Sequence, residues 1–226
     1  WEINQKYAKQ DERITAIKNE TNLGIAGNRN KGIHLAQGEY IVWQDADDIS
    51  IPTRIEKQLR YMEVHPRVGI VGGFLEFFSG DGSSSGMRRY SETDSELRKN
   101  IFRYSPVAQP AAMLRKQCLD EVGGYDLQYP LAEDLDMSFR IGKKHEFANL
   151  QEVVIKYREH PSSATFTKLR KIELSTLEIR RRHAKSGFYR MTFFDKIYNL
   201  LQFISIFIIS PKMKIRLFNV LRNSKS

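Results

Sequence analysis

Apolar positions along the chain follow two rhythms. Tyr40 to Trp43 (YIVW) is a continuous β-branched and aromatic run behind Gly38, which can stop a preceding helix. Such a run predicts a short strand buried on both faces, as in a parallel sheet. Val68 to Phe78, Ala111 to Leu114 and Val153 to Tyr157 are further apolar runs of strand character, and Ile14 to Lys18 alternates like a short strand. Between these lie helical patterns: residues 2–10, a helix from the Asn22, Gly24, Gly27 loop to about Gln37, Thr53 to Val64 behind Pro52, Glu92 to Arg103, and a helix starting at Ala132. Strands alternate with helices over residues 1–160, which implies an α/β fold with a mainly parallel sheet. Residues 80–86 (GDGSSSG) predict a flexible loop.

After Ser163 the pattern changes, which divides the chain into residues 1–163 and a helical tail, 164–226. Residues 168–186 predict a basic amphipathic helix carrying Arg180, Arg181 and Arg182. Leu200 to Ser210 (LLQFISIFIIS) is almost wholly apolar but only 11 residues long, well short of the about 20 that span a bilayer. A basic segment follows it. Two readings fit this tail: an element lying in a membrane interface, or a core-packing helix with a solvated basic end.

Charge sharpens the division. The net charge is +9, yet residues 1–155 hold 20 Lys/Arg against 23 Asp/Glu, giving −3, whereas residues 156–226 hold 16 against 4, giving +12. The basicity belongs to the tail and points to an anionic surface as partner, membrane or nucleic acid. A single cysteine, Cys118, excludes a disulfide framework within the chain and suits a reducing compartment. No Cys/His zinc cluster exists. The chain opens at Trp1 inside an amphipathic pattern and reads as a fragment of something longer.

The candidate chemistry sits at Asp45, Asp47 and Asp48, at the carboxyl end of the Tyr40–Trp43 strand and before a helix. Ligands bind at that edge of open α/β sheets. One like-charged pair at about 4 Å costs roughly 4 kcal/mol at an effective dielectric near 20. A turn could avoid that by facing the carboxylates into water, and Asp is also common turn and cap chemistry. A divalent cation would instead turn repulsion into attraction; Mg²⁺ favours one or two carboxylates plus phosphate oxygens and waters. Glu133, Asp134 and Asp136 crowd the first turn of a helix, where the positive end of the dipole suits acids.

Taken in order, several phrases resemble the family 2 glycosyltransferases, which have the GT-A fold. Asn22-Leu23-Gly24 leads to Arg29-Asn30-Lys31-Gly32 and to Ala36-Gln37-Gly38-Glu39-Tyr40; then come Asp45-Ala46-Asp47-Asp48, Gly123-Gly124-Tyr125-Asp126, Ala132-Glu133-Asp134, and Tyr157-Arg158-Glu159-His160-Pro161-Ser162-Ser163. The resemblance implies metal-dependent, inverting transfer of a sugar from a nucleotide diphospho-sugar, with a uridine-linked donor expected, to the hydroxyl of a saccharide or lipid-linked acceptor. It implies Mg²⁺ or Mn²⁺ held by Asp47 with Asp45, Asp48 and His160, donor contacts from Asp45 and Arg29, and Asp134 as general base with Glu133 beside it. Gln109 matches a position on the acceptor side. By the same analogy the enzyme serves cell-surface polysaccharide or glycolipid synthesis; the basic tail would place it peripherally at the cytoplasmic face of the membrane, docked through residues 200–226 and without nucleic acid. The family's usual opening strand–helix–strand unit, which reads the nucleotide base, is not matched here, so an incomplete nucleotide pocket and unpaired strand edges are expected.

Two other readings compete. A metal-dependent nucleotidyltransferase would use the same aspartates on a nucleoside triphosphate, but no Gly-rich phosphate loop with a following Lys is present. A non-catalytic module binding membrane or nucleic acid would use only the basic tail.

Overall fold

The computed structural model describes residues 1–80, 82–160, 163 and 167–224. Asp81 of the Gly-rich segment and Pro161 and Ser162 of the last motif lie outside the described residues.

Two long strands form the middle of a seven-stranded sheet. The strand β3 (Val68–Phe78) runs parallel to β6 (Glu146–Arg158) along its whole length. Beyond β6 lies β2 (Ile49–Ser50). The other edge of β3 pairs first with β5 (Met113–Arg115), which carries β1 (Tyr40–Val42), and then with β4 (Ser84–Arg88), which carries β7 (Asn223–Ser224). Nearly every residue of β3 is buried, as its apolar run, broken only by the half-buried Glu76, dictates.

The α/β architecture is the expected one, but strand directions are mixed: among the described residues, of six ladders only β3–β6 is parallel. A parallel pairing needs a crossover of a dozen or more residues, and the long passage from β3 to β6 provides it. The Gly-rich segment, by contrast, closes a hairpin between β3 and β4. Ser79 N–H donates to the Ser83 carbonyl at 3.0 Å, Gly82 N–H to the Ser79 carbonyl at 2.9 Å, and Gly82 takes a φ of +83° that a side chain would resist. The expectation of a strand at Ile14 to Lys18 is also corrected. That segment is irregular and has no sheet partner, and Ile14 and Ile17 are exposed, so the alternation buries nothing.

Helices flank the sheet, although the first, Glu2–Gln10, buries none of its residues. Those of the first part are α1 (Glu2–Gln10), α2 (Gly24–Leu35), α3 (Arg54–Val64), α4 (Asp94–Asn100), α5 (Lys116–Val122) and α6 (Glu133–Ile141). The tail supplies α7 (Leu169–Lys185), α8 (Phe193–Ile208) and α9 (Pro211–Arg222). Ile179 of α7 and Tyr189 beyond it join the same buried cluster as Leu114, Leu135 and Phe139. The α6–α7 contact is polar as well as apolar. His183 Nε2 lies 2.8 Å from Asp136 Oδ1, its ring stacks on Phe139 at 4.5 Å, and Arg140 Nε donates to the other Asp136 oxygen at 2.7 Å. Asp136 is fully buried. Burial alone would raise its pKa, but the His183 and Arg140 interactions outweigh that and lower it.

Candidate active site

The acidic loop hangs between β1 and β2. Its shape is held from within by Gln44, whose Nε2 donates to the carbonyls of Asp45 (2.9 Å) and Asp48 (3.0 Å) while its Oε1 accepts from Ser50 Oγ at 2.6 Å. From below it is held by Arg54, the first residue of α3, which is only 1% exposed. The guanidinium donates to the carbonyls of Trp43 (3.2 Å) and Ala112 (3.3 Å) and to Ser50 Oγ (3.2 Å). Burial lowers its pKa to about 10, with the charge of Asp48 opposing that. One turn on, buried Gln58 donates to the carbonyl of Ala111 at 2.7 Å. The buried stripe of α3 is thus Arg54, Gln58 and Met62, a largely polar one that fastens strand ends to the loop. Sequence reading missed Arg54. The signal was a polar i, i+4 pair in register with Met62.

The end of β6 closes the loop from the other side. Arg158 N–H donates to Asp48 Oδ1 at 2.9 Å, Arg158 Nε to the Asp47 carbonyl at 2.9 Å, and His160 Nε2 stands 3.1 Å from Asp47 Oδ2. Asp47 and His160, 113 residues apart, are therefore neighbours. Burial raises the pKa of Asp48 to about 6, the Arg158 N–H lowers it, and the charges of Asp47 and Asp45 add to the rise. This is the carboxylate repulsion expected from the spacing. Asp48 Oδ2 is buried with no hydrogen-bond partner.

The second acidic group stands at the amino end of α6. Arg29 of α2 pairs with Glu133 (Nη1 to Oε1, 2.6 Å), and both side chains are largely buried. The guanidinium lies between two rings, 5.5 Å from the centroid of Trp43 and 5.6 Å from that of Tyr125. Even so, burial and the neighbouring Asp134 charge raise Glu133 to about 7; Arg29 opposes the rise and the charge of Asp45 adds to it. Asp134 is raised too, by burial, against Arg29 and backbone N–H groups. Arg29 links the two regions: it pairs with Glu133 at the start of α6 and lies 5.5 Å from the ring of Trp43, at the head of the acidic loop.

The Gly123–Asp126 turn is held by two side chains. Asn30 Oδ1 accepts from Tyr125 N–H at 2.6 Å and its Nδ2 donates to the Tyr125 carbonyl at 2.9 Å, so closely that a β-carbon on Gly124 would strike it. Arg140 donates to the carbonyls of Val122, Gly123 and Gly124. Tyr125 meets Trp43 edge-on at 6.0 Å and accepts a hydrogen bond from Gln109 Nε2. Gln109 is buried, so it bears on the site through Tyr125.

The structure thus gathers Asp45, Asp47, Asp48, His160, Arg29, Glu133, Asp134 and, through Tyr125, Gln109 around the carboxyl end of β1. It does not gather the four expected metal ligands into a cage: among the described residues no three His, Cys, Asp or Glu side chains form a group that could hold a metal ion alone.

The Glycosyl transferase family 2 model matches residues 1–123. An uncharacterized glycosyltransferase of Methanocaldococcus jannaschii is 28% identical over 233 residues, covering 100% of this chain and 79% of that protein. The Escherichia coli UDP-Glc:alpha-D-GlcNAc-diphosphoundecaprenol beta-1,3-glucosyltransferase WfaP is 29% identical over 185 residues, covering 76% and 65%. Among solved structures, the mannosyltransferase PcManGT of Pyrobaculum calidifontis, in complex with GDP-Man and Mn²⁺, aligns with a TM-score of 0.58 at 13% identity, covering 96% of this chain and 66% of that one.

Proposed function

Since the chain belongs to glycosyl transferase family 2, we propose that the acidic loop and the start of α6 are the two sides of an inverting sugar-transfer site. The observation that carries this reading is the meeting of Asp47 with His160 at 3.1 Å, on the same site as Glu133 and Asp134.

The donor is a nucleotide diphospho-sugar, with uridine diphosphate the first choice because WfaP, by its name, uses UDP-Glc. Asp47, Asp45 and His160 are the groups that would hold Mg²⁺ or Mn²⁺. They fit such an ion only together with donor oxygens, which is how Mg²⁺ prefers to bind, and the partnerless Asp48 Oδ2 is a further acceptor at its edge. When bound, the cation stabilises the charge that gathers on the departing diphosphate. Asp134 takes the proton of the acceptor hydroxyl. The freed oxygen attacks the anomeric carbon from the face opposite the diphosphate, so the configuration inverts. One carboxylate on that face suffices, unlike the two of retaining glycosidases. Glu133 and Asp134 are held above their ordinary pKa values, which matches a base working near neutral pH. Arg29 positions Glu133 and closes the pocket between Trp43 and Tyr125. Gln109 supports the acceptor side from behind, through its hydrogen bond to Tyr125, and the acceptor is a saccharide or lipid-linked sugar in cell-surface polysaccharide synthesis at the cytoplasmic face of the membrane.

The test is calorimetric titration of uridine diphosphate with Mn²⁺ into the protein and into Asp47→Ala. Metal-dependent binding that the variant loses supports the reading. Equal binding by both would reduce the aspartates to turn residues.

A further inference from the structure

In α8 the usual arrangement of an amphipathic helix is reversed. A surface helix normally turns its apolar stripe to the core and its polar face to water. Here the inward face carries Asp195, Asn199 and Gln202 beside a single buried apolar residue, Ile206. Asp195 pairs with Arg103 at 2.7 Å and is buried. Asn199 Nδ2 donates to the Phe102 carbonyl at 3.0 Å, and Arg180 donates to Asn199 Oδ1 (3.2 Å), Gln202 Oε1 (2.8 Å) and the Arg103 carbonyl (2.6 Å). The outward face is Phe193, Ile197, Leu200, Ile204, Phe207 and Ile208, spaced to form one stripe. It is open: Leu200 is 58%, Phe207 59% and Ile208 76% exposed. The helix cannot slide round to bury this stripe, because its other face is committed to hydrogen bonds with a buried guanidinium.

Cations border the stripe. The Arg170 guanidinium lies 5.0 Å from the Phe207 ring centroid. Arg181, Lys185 and Lys196 rim a shallow cavity of about 380 Å³ whose apolar lining includes Leu177, Ala184 and Met191. Exposed Lys212 and Arg216 follow on α9. The one carboxylate of α8, Asp195, points inward. Among the described residues no helix is long and apolar enough to cross a membrane, and at 1.5 Å per residue the 16 residues of α8 reach about 24 Å, short of a hydrocarbon core of about 30 Å.

We propose that α8 lies flat on an anionic lipid surface, with the stripe among the acyl chains and the bordering cations on the headgroups. A second copy of the chain fits less well, since pairing two such faces would bring like charges together. The inference adds a docking surface to the sugar-transfer reading and stands independently of it. Its site lies outside the residues that bind donor.

The full chain should float with vesicles of phosphatidylcholine and phosphatidylglycerol. Binding should be at least about tenfold weaker to phosphatidylcholine alone or at high salt. The double variant Leu200→Gln/Phe207→Gln should also bind about tenfold or more weakly, with unchanged circular dichroism and nucleotide binding. The proposal is overturned if the wild type never floats, if the variant floats equally, or if lipid-free ultracentrifugation shows a dimer that the variant dissolves.

Discussion

Glu133 illustrates how a residue's surroundings set its chemistry. It touches a guanidinium, yet burial and Asp134 hold it near pH 7. The sign follows from linkage. Its folded value lies above the unfolded 4.5, so its contribution to stability falls as pH rises from 4.5 to about 7. Glu133→Gln should remove that slope in melting temperatures measured across the window. Transfer needs an ionised base, and burial raises the pKa of Asp134, so kcat/KM should rise with pH at higher pH than an ordinary aspartate would give, in a profile taken from about pH 5 to 8. Asp134→Asn should lower kcat by about 10²–10⁴ while leaving the melting temperature unchanged or higher, because burial already disfavours the charged form of Asp134. A variant that lost its fold in parallel with its rate would give Asp134 a structural role instead.

At the scale of elements, α3 and α6 act as brackets for the loops that carry the chemistry. Arg54→Met keeps the bulk but removes the donor to the Trp43 and Ala112 carbonyls. A buried carbonyl left without a partner costs about 1–3 kcal/mol, and denaturant midpoints should show it, with weaker donor binding as the loop loosens. His183→Ala should cost about 2–5 kcal/mol through the lost ring and the unpaired Asp136. The wild-type contribution of Asp136 is present above pH 3.8 and lost as pH falls toward its depressed folded value, so the variant should flatten acid unfolding there. These brackets were the least legible part of the sequence. The aspartate loop, the Glu133–Asp134 pair and His160 stood out as candidates because their residue types announce chemistry. Arg54 was masked by its residue type, since an arginine on a helix reads as solvated and Ile55 beside it, which reads as core, is exposed; its register with Gln58 and Met62 was the one mark it carried. Period-2 alternation suggested a strand at Ile14 to Lys18, but alternation makes a strand only where a neighbour offers backbone partners. The short strand β2 gave no signal at all, since two residues pair with β6 through position alone.

Over the whole molecule, buried contacts tie the tail to the first part, beside the pairing of β7 with β4. Ile179, His183 and Tyr189 meet α6, while α8 grips the Phe102–Tyr104 segment that leads to Gln109. The charge division visible in the sequence, −3 against +12, foretold a surface of different character but not its orientation. Hydropathy leaves α8 open between a core helix and an interfacial one; the hydrogen bonds of its inward face show which side looks out. The reversal of α8 changes how a protein engineer should choose substitutions. Exchanging Leu201 or Ile208 for glutamine, ordinarily a damaging change in so apolar a segment, should improve solubility at little cost to the melting temperature. Exchanging Asn199 or Gln202 for leucine, which would look harmless by composition, should destabilise the chain by about 1–3 kcal/mol or more, because the Arg180 guanidinium would lose a buried acceptor.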